Sequence, residues 1–214
     1  MNKAVHVKRD YRSPHRAAQA ASTREAVLQA AGRLFVERGY IGTSVDAIAE
    51  AAGVSRATVF AAGKSKPALL KAAYDVALVG DAAPVALPDR PQSKLVRAEA
   101  DPRRFLKGYA GIAADVSSRI GPIYEAVRGA ASAHPEVQAV WHKILEERRL
   151  GAANVVRMVS ERQALRAGLD AVAAADVVWV LNDPGLYFLL VYRRGWLHDR
   201  FTTWLTDALQ RELL

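Results

Sequence analysis

The segment Ser55-Arg56-Ala57-Thr58 follows Gly53-Val54 and offers a compact set of groups for reading a nucleic acid. Ser55 is a good helix N-cap, and a helix start leaves backbone N–H groups pointing forward as a seat for phosphate. Arg56 can fork onto O6 and N7 of guanine, while Ala57 and the methyl of Thr58 can touch a thymine methyl. Lys64 and Lys66, just beyond, can reach phosphates, as can Thr43 and Arg24. Phosphate contacts supply affinity and salt dependence, and base contacts supply sequence choice.

Other chemistries find little support. The chain has no cysteine, which removes disulfides, thiolate metal sites and cysteine nucleophiles together. Its histidines are His6, His15, His134, His142 and His198, and no two have H-x-x-x-H spacing. His134 and His142 could share a helix face, but Pro135 places His134 at or before a helix start. No nucleophile elbow, phosphate-binding loop or dinucleotide fingerprint is present. The sequence therefore reads as a non-enzyme with no metal and no cofactor. The basic N-terminus lacks the apolar run of a secretory signal. The densest apolar run, Leu186 to Tyr192, is closed by Arg193-Arg194 and is far shorter than a membrane helix. A cytoplasmic protein without a membrane partner is the expectation.

Charge sharpens the nucleic-acid reading. The net charge is +8, and through Leu70 there are 11 basic against 5 acidic residues. From Lys71 onward the balance is 19 against 17. A localised positive excess suits a polyanionic partner, although net charge also serves solubility alone.

The elements that must position these groups are all helical. Residues 1–21 read as a flexible basic arm. A first helix begins at Ser22 or Thr23, with Val27, Ala30, Ala31, Leu34 and Phe35 on one face and Gly39 after its end. Thr43 or Ser44 caps a second helix bearing Val45, Ile48, Ala49 and Ala52, and Gly53 ends it. Ser55 caps a third, closed by Gly63 at the left-handed position. Ser65 caps a fourth over about 66–79. Residues 80–101 carry Pro84, Pro88 and Pro91 and read as a linker. Beyond it, helices are expected near 102–118, 122–132, 135–161, 170–193 and 197–213, the fourth of these kinked by Pro184. The fold class is all-α with about nine helices: a three-helix helix-turn-helix domain over 22–68, then a helical bundle over 69–214. Glu–Arg pairs near 146–149 read as solvated helix surface. Asn182 and Asp183 could read a ligand, cross an interface or satisfy backbone freed by Pro184.

The spacing of the N-terminal helices carries a specific resemblance. The pieces are Ala30-Ala31-x-x-Leu34-Phe35-x-x-Arg38-Gly39-Tyr40, Thr43-Ser44-Val45-x-x-Ile48-Ala49, Ala52-Gly53-Val54-Ser55, Thr58-Val59-Phe60 and Lys64-Ser65-Lys66-x-x-Leu69-Leu70. Residues 23–70 thus resemble the DNA-binding domain of the tetracycline-repressor (TetR) family of bacterial transcriptional regulators. The remainder matches only as a helical domain of suitable length. The chain departs from the family at Phe60-Ala61-Ala62-Gly63, where a tyrosine hydroxyl, a polar contact and a packing aromatic are missing.

The resemblance implies a ligand-responsive regulator, a repressor by family precedent. It would bind a palindromic double-stranded operator as a homodimer and be released by a small-molecule effector. Phe60 joins the DNA-facing set on this ground. The last two helices would form the dimer interface, with Trp179, Leu186, Leu190, Phe201 and Trp204 as anchors. An apolar, aromatic pocket for a small hydrophobic effector would lie between the middle helices, lined by Tyr109, Ile112, Val116, Tyr124, Trp141, Ile144, Leu145 and Asn182. Helix 66–79 would be the lever between the two sites. The alternatives are a nonspecific architectural DNA binder, or an all-α small-molecule binding protein or enzyme that retains the helix-turn-helix.

Overall fold

Proline opens helix after helix in this chain. Pro67, Pro91, Pro102, Pro135 and Pro184 each occupy the first or second position of one. The missing N–H costs nothing there, because first-turn N–H groups have no acceptor within the helix. The computed structural model describes residues 14–81 and 85–214. The order is α1 (Pro14–Gly42), α2 (Val45–Ala52), α3 (Arg56–Gly63), α4 (Lys66–Val79), α5 (Pro91–Ala98), α6 (Pro102–Ala131), α7 (Pro135–Ser160), α8 (Ala171–Leu181), α9 (Pro184–Tyr187) running on into a π-helical turn (Phe188–Arg193), and α10 (His198–Leu213). No strand occurs among the described residues, so the all-α expectation holds.

Several boundaries differ from the sequence reading. α1 starts at Pro14, well before Ser22, so the later part of the expected arm is helical. Residues 1–13 lie outside the described residues. Gly39 does break the end of α1, with φ 69° and ψ 177°. The expected linker holds a 3₁₀ turn, Leu87–Asp89, and the short helix α5. Pro91 is a helix starter there rather than a breaker. The expected helices 102–118 and 122–132 are one, with Pro122 inside it. A proline at 122 donates no hydrogen bond to the carbonyl of Ser118. The Tyr192 hydroxyl donates to that carbonyl instead, at 2.8 Å, so the turn leaves no orphan acceptor. Pro184 ends one helix and starts another rather than kinking a single one. Asp183 caps the new start by accepting from the Gly185 N–H at 2.7 Å. Ala171–Arg193 is long and apolar enough to cross a membrane by length and composition, contrary to the sequence expectation. The break at Asn182-Asp183 divides that stretch between two helices.

Two apolar cores hold the helices. The first joins Val27, Leu28 and Phe35 of α1, Ile48 of α2 and Val59 of α3 to Leu69, Leu70 and Tyr74 of α4, and continues into Ile120, Tyr124 and Val127 of α6 and Ile144 of α7. It crosses the expected boundary at residue 68 without a break. The second joins Phe105 and Leu106 of α6, Val155 and Val159 of α7, Val178 of α8, and Phe201, Leu205 and Leu209 of α10.

Candidate nucleic-acid interface and ligand cavity

The turn between α2 and α3 is built from short-range chemistry. The Ser44 hydroxyl accepts from the Ala47 N–H at 3.0 Å and so caps α2. Gly53 stops α2 in the left-handed region, φ 64° and ψ 34°, where a side chain would be strained. The Ser55 hydroxyl caps α3 by accepting from the Thr58 N–H at 3.2 Å, and lies 2.9 Å from the Thr58 hydroxyl. Val59 is fully buried beneath α3, which turns Ser55, Arg56, Ala57 and Phe60 to solvent, with Thr58 half-buried beside them. The sequence-derived reading face of α3 is therefore brought together and exposed.

Arg56 has a partner that the sequence did not reveal. Its guanidinium donates to both carboxylate oxygens of Asp46 on α2, at 2.9 and 2.7 Å, and lies 5.6 Å from the Phe60 ring centroid. The pair is exposed, and it fixes the aim of the side chain more than the stability of the fold. No periodicity links positions 46 and 56; only the reversal at Gly53 brings them together.

Two expected contacts change role. Thr43 is fully buried, and its hydroxyl donates to the carbonyl of Leu34 at 2.9 Å, with that of Gly39 at 2.8 Å. It therefore ties α1 to the entry of α2 and does not reach a phosphate. Lys66 is half-buried, its ammonium 4.2 Å from the centre of the Tyr40 ring. Burial lowers its pKa, and the charge of Glu136 opposes that shift. Tyr40 in turn donates to Glu136 at 3.3 Å. Arg24 is exposed on α1, and Lys64 is exposed at the end of α3.

The departure at Gly63 has a packing explanation. A Cβ on Gly63 would lie 2.4 Å from Leu69 Cδ2, so the glycine lets α4 close onto α3 and Leu69 fills the space beside it. The left-handed residue is Lys64, φ 59°, and not Gly63 as the sequence suggested. Its N–H donates to the Phe60 carbonyl at 2.7 Å.

The expected effector pocket divides in two. Tyr109, Ile112, Val116, Ile144 and Asn182 line an inner cavity of about 390 Å³ walled by α4, α5, α6 and α7. Tyr124, Trp141 and Leu145 instead line an outer groove of about 710 Å³ bounded by α6, α7, α8 and α9. The two share no lining residue. The reason lies in α6 and α7, whose turns place successive apolar residues on opposite flanks of the same helix.

Arg148 stands between them and was not recognised in the sequence. Its side chain is only 9% exposed. It lies on the inner cavity wall, yet it donates to the Tyr124 hydroxyl at 3.1 Å and pairs with Asp183 at 3.0 Å, both on the groove side. It also donates to the carbonyls of Trp179 and Asn182 at 2.8 and 3.2 Å, closing the end of α8. Of the 146–149 segment, only the Glu146–Arg149 pair is solvated surface as expected. Glu147 pairs with Lys71 of α4 at 3.0 Å, and Lys71 also holds Asp75 at 2.6 Å. The spacing Ile144, Arg148, Ala152 is the one sequence signal that placed Arg148 on a buried stripe. Burial, ahead of the opposing charge of Arg148, raises the phenol pKa of Tyr109.

The dimer anchors also need one correction. Phe201 is 1% exposed and packs within its own chain on Tyr187 and Trp204, so it presents no surface to a partner. Trp179, Leu186, Leu190 and Trp204 are half-buried. The exposed apolar side chains nearby are Val172 and Val180 of α8, Leu189 and Tyr192 of the α9 extension, and Leu197.

Residues 27–73 match the family model of bacterial regulatory proteins, tetR family. This segment carries the helix-turn-helix of the TetR family of transcriptional regulators. The matched TetR-family segment spans the capped α2–α3 turn and the first part of α4. A curated relative, the uncharacterized HTH-type transcriptional regulator YdeS of Bacillus subtilis (strain 168), is 28% identical over 172 residues, which is 79% of each chain. NalD of Pseudomonas aeruginosa, the secondary repressor of the MexAB-OprM multidrug efflux pump, superposes with a TM-score of 0.68 at 22% identity, over 91% of this chain and 98% of that one. The regulator FadR of Bacillus subtilis, in complex with stearoyl-CoA, superposes with a TM-score of 0.66 at 15% identity, over 86% and 96%. These two likenesses show a shared fold that extends over the C-terminal helices.

Proposed function

We propose that this chain is a cytoplasmic TetR-family repressor that binds a two-fold symmetric operator as a homodimer and is released by a small effector in the inner cavity. The observation that carries this reading is the course of α4. It begins at Lys66, close behind the reading helix, and its Tyr74, Asp75 and Leu78 form part of the cavity wall. A ligand that changes the cavity wall must therefore act on the helix that abuts α3 at Gly63. Effector and DNA would favour different settings of α4, and their binding would be linked. The precedent of a neighbour that represses and another that holds a ligand supports both halves of the reading.

Ser55, Arg56, Ala57 and Thr58 would face base edges, and Arg24, Phe60 and Lys64 the backbone. Asp46 would hold Arg56 in place until guanine takes over its two donors. The exposed apolar side chains of α8 and the α9 extension would meet their symmetry mates, with the half-buried Trp179, Leu186, Leu190 and Trp204 behind them.

The test is selection of bound duplexes from a randomised pool at near-physiological salt. A symmetric consensus with half-sites about one helical turn apart, roughly 34–36 Å, is expected. Arg56→Ala should relax choice at one base position by about 1–3 kcal/mol. Unselected binding that disappears with added salt would overturn the operator reading in favour of an architectural DNA binder.

A further inference from the structure

The inner cavity carries a polar pair with spare capacity. Asn182 donates from Nδ2 to the Tyr109 hydroxyl at 2.8 Å. This uses one amide proton and one lone pair. The hydroxyl proton of Tyr109 and the carbonyl Oδ1 of Asn182 have no hydrogen-bond partner among the described residues. Both residues line the cavity, so unused donors and an unused acceptor stand side by side on its wall. Around them the wall is apolar, with Phe105, Ile112, Val116, Ile120 and Met158.

The charged groups of the cavity wall are engaged within the protein, although Asp75 and Glu147 share one lysine and the Nε of Arg148 has no partner among the described residues. Arg148 pairs with Asp183, and Asp75 and Glu147 share Lys71. Arg97 is exposed, donates to the Pro88 carbonyl at 2.6 Å and stays solvated. A buried anion would have to draw Arg148 from Asp183, a buried cation would have to compete with Lys71 for Asp75 and Glu147, and either would lose its hydration. A neutral group that both donates and accepts loses far less, because the Tyr109–Asn182 pair replaces both of its water contacts.

We propose that the cavity takes an uncharged amphiphile whose single polar head, an alcohol, phenol or primary amide, sits on the Tyr109–Asn182 pair with its apolar body against α6 and α7. The volume of about 390 Å³ suits a small ligand. This deepens the effector reading above and rests on it only for the consequence of binding, not for the chemistry of the site.

The experiment is isothermal titration of the full chain with four probes of equal chain length, each below its aggregation limit: n-decanol, decanoate, decylammonium and n-decane. n-Decanol should bind about tenfold or more tighter than each of the others, the worth of the added hydrogen bonds. Tyr109→Phe and, separately, Asn182→Ala should each lower the n-decanol affinity several-fold and leave n-decane unchanged. The two variants guard against a fold defect in either one. Val116→Trp, which fills the inner cavity and leaves the outer groove intact, should abolish the n-decanol signal. Tightest binding by decanoate or decylammonium, equal binding by all four, or n-decanol binding that survives Val116→Trp would each overturn the proposal. If the protein selects a symmetric operator but binds none of the probes, the cavity chemistry is wrong and the regulator reading stands. If it binds n-decanol in the expected pattern but selects no DNA, the cavity chemistry stands and the regulator reading fails.

Discussion

The reading head and the cavity are held together by opposite means. Around α2 and α3 the decisive hydrogen bonds are local. Ser44 reaches Ala47 and Ser55 reaches Thr58, three residues away in each case, and Thr43 reaches back nine residues to Leu34. Around the cavity they are distant. Arg148 joins Tyr124 and Trp179 across 24 and 31 residues, and Asn182 joins Tyr109 across 73. A local device works wherever its few residues recur, so it leaves a spacing in the sequence. A distant one works only after the helices have packed, and its members carry no mark of one another. The same contrast suits the two tasks: a reading head needs a fixed shape, whereas a ligand site can change its lining without disturbing that shape.

The contrast is tested most severely at Arg148. Arg148→Met removes the charge that answers Asp183 and leaves the carbonyls of Trp179 and Asn182 without a donor. A loss of about 3 kcal/mol in urea unfolding is expected. Hydrogen exchange should show α8 and the start of α9 loosened well before α2 and α3. Equal loosening of both regions would break the comparison.

Thr43→Val keeps the shape of a buried side chain but leaves the Leu34 and Gly39 carbonyls short of a hydrogen. It should cost about 1–3 kcal/mol, read as a fall in the thermal midpoint, with the reading helix affected first. Ser55→Ala should cost about 1 kcal/mol as the loss of an N-cap. It should also weaken DNA binding, because the front turn of α3 frays.

Alkaline unfolding probes the seam between the two regions. Burial, and then the charge and hydrogen bond of Glu136, push the Tyr40 phenol up to about 12. Its unfolded value is near 10. The folded state therefore holds this proton more tightly, and the contribution is complete below pH 10 and lost as pH rises toward 12. Tyr40→Phe should flatten the decline in thermal midpoint over that window. An unchanged profile would show that the seam does not carry the titration.

The smallest effect on stability is expected at Asp46. Asp46→Asn releases an exposed ion pair and should shift unfolding by less than about 0.5 kcal/mol. It should nonetheless alter base preference in DNA selection, because Arg56 loses the partner that aims it. A stability change without a change in preference would mean that the pair serves the fold alone.

How much could be read in advance follows the same division. The faces of α1, α2 and α4, the caps Ser55 and Ser65 and the turn at Gly53 were legible, and Ser44 was one of two candidate caps for α2. Each is a pattern within one helix or across one turn. Thr43 misled because its residue type is equally suited to a phosphate contact and to a buried tie. Pro91 and Pro122 misled because a proline has opposite meanings at a helix start and inside one. Phe201 misled because an aromatic on an apolar face serves an inner core and an outer interface alike.

The sequence by itself therefore determined an all-α chain with a capped, basic, helix-turn-helix head, since caps, glycines and apolar periodicity act over a few residues. Only the tertiary structure decided that Asp46 holds Arg56, that Leu69 fills the place beside Gly63, and that the effector candidates divide between an inner cavity and an outer groove. It also decided that Arg148 is a buried partner of Asp183 rather than surface. Those outcomes depend on which flank of α6 and α7 meets which neighbour, and helix packing sets that choice across distances along the chain that no local pattern spans.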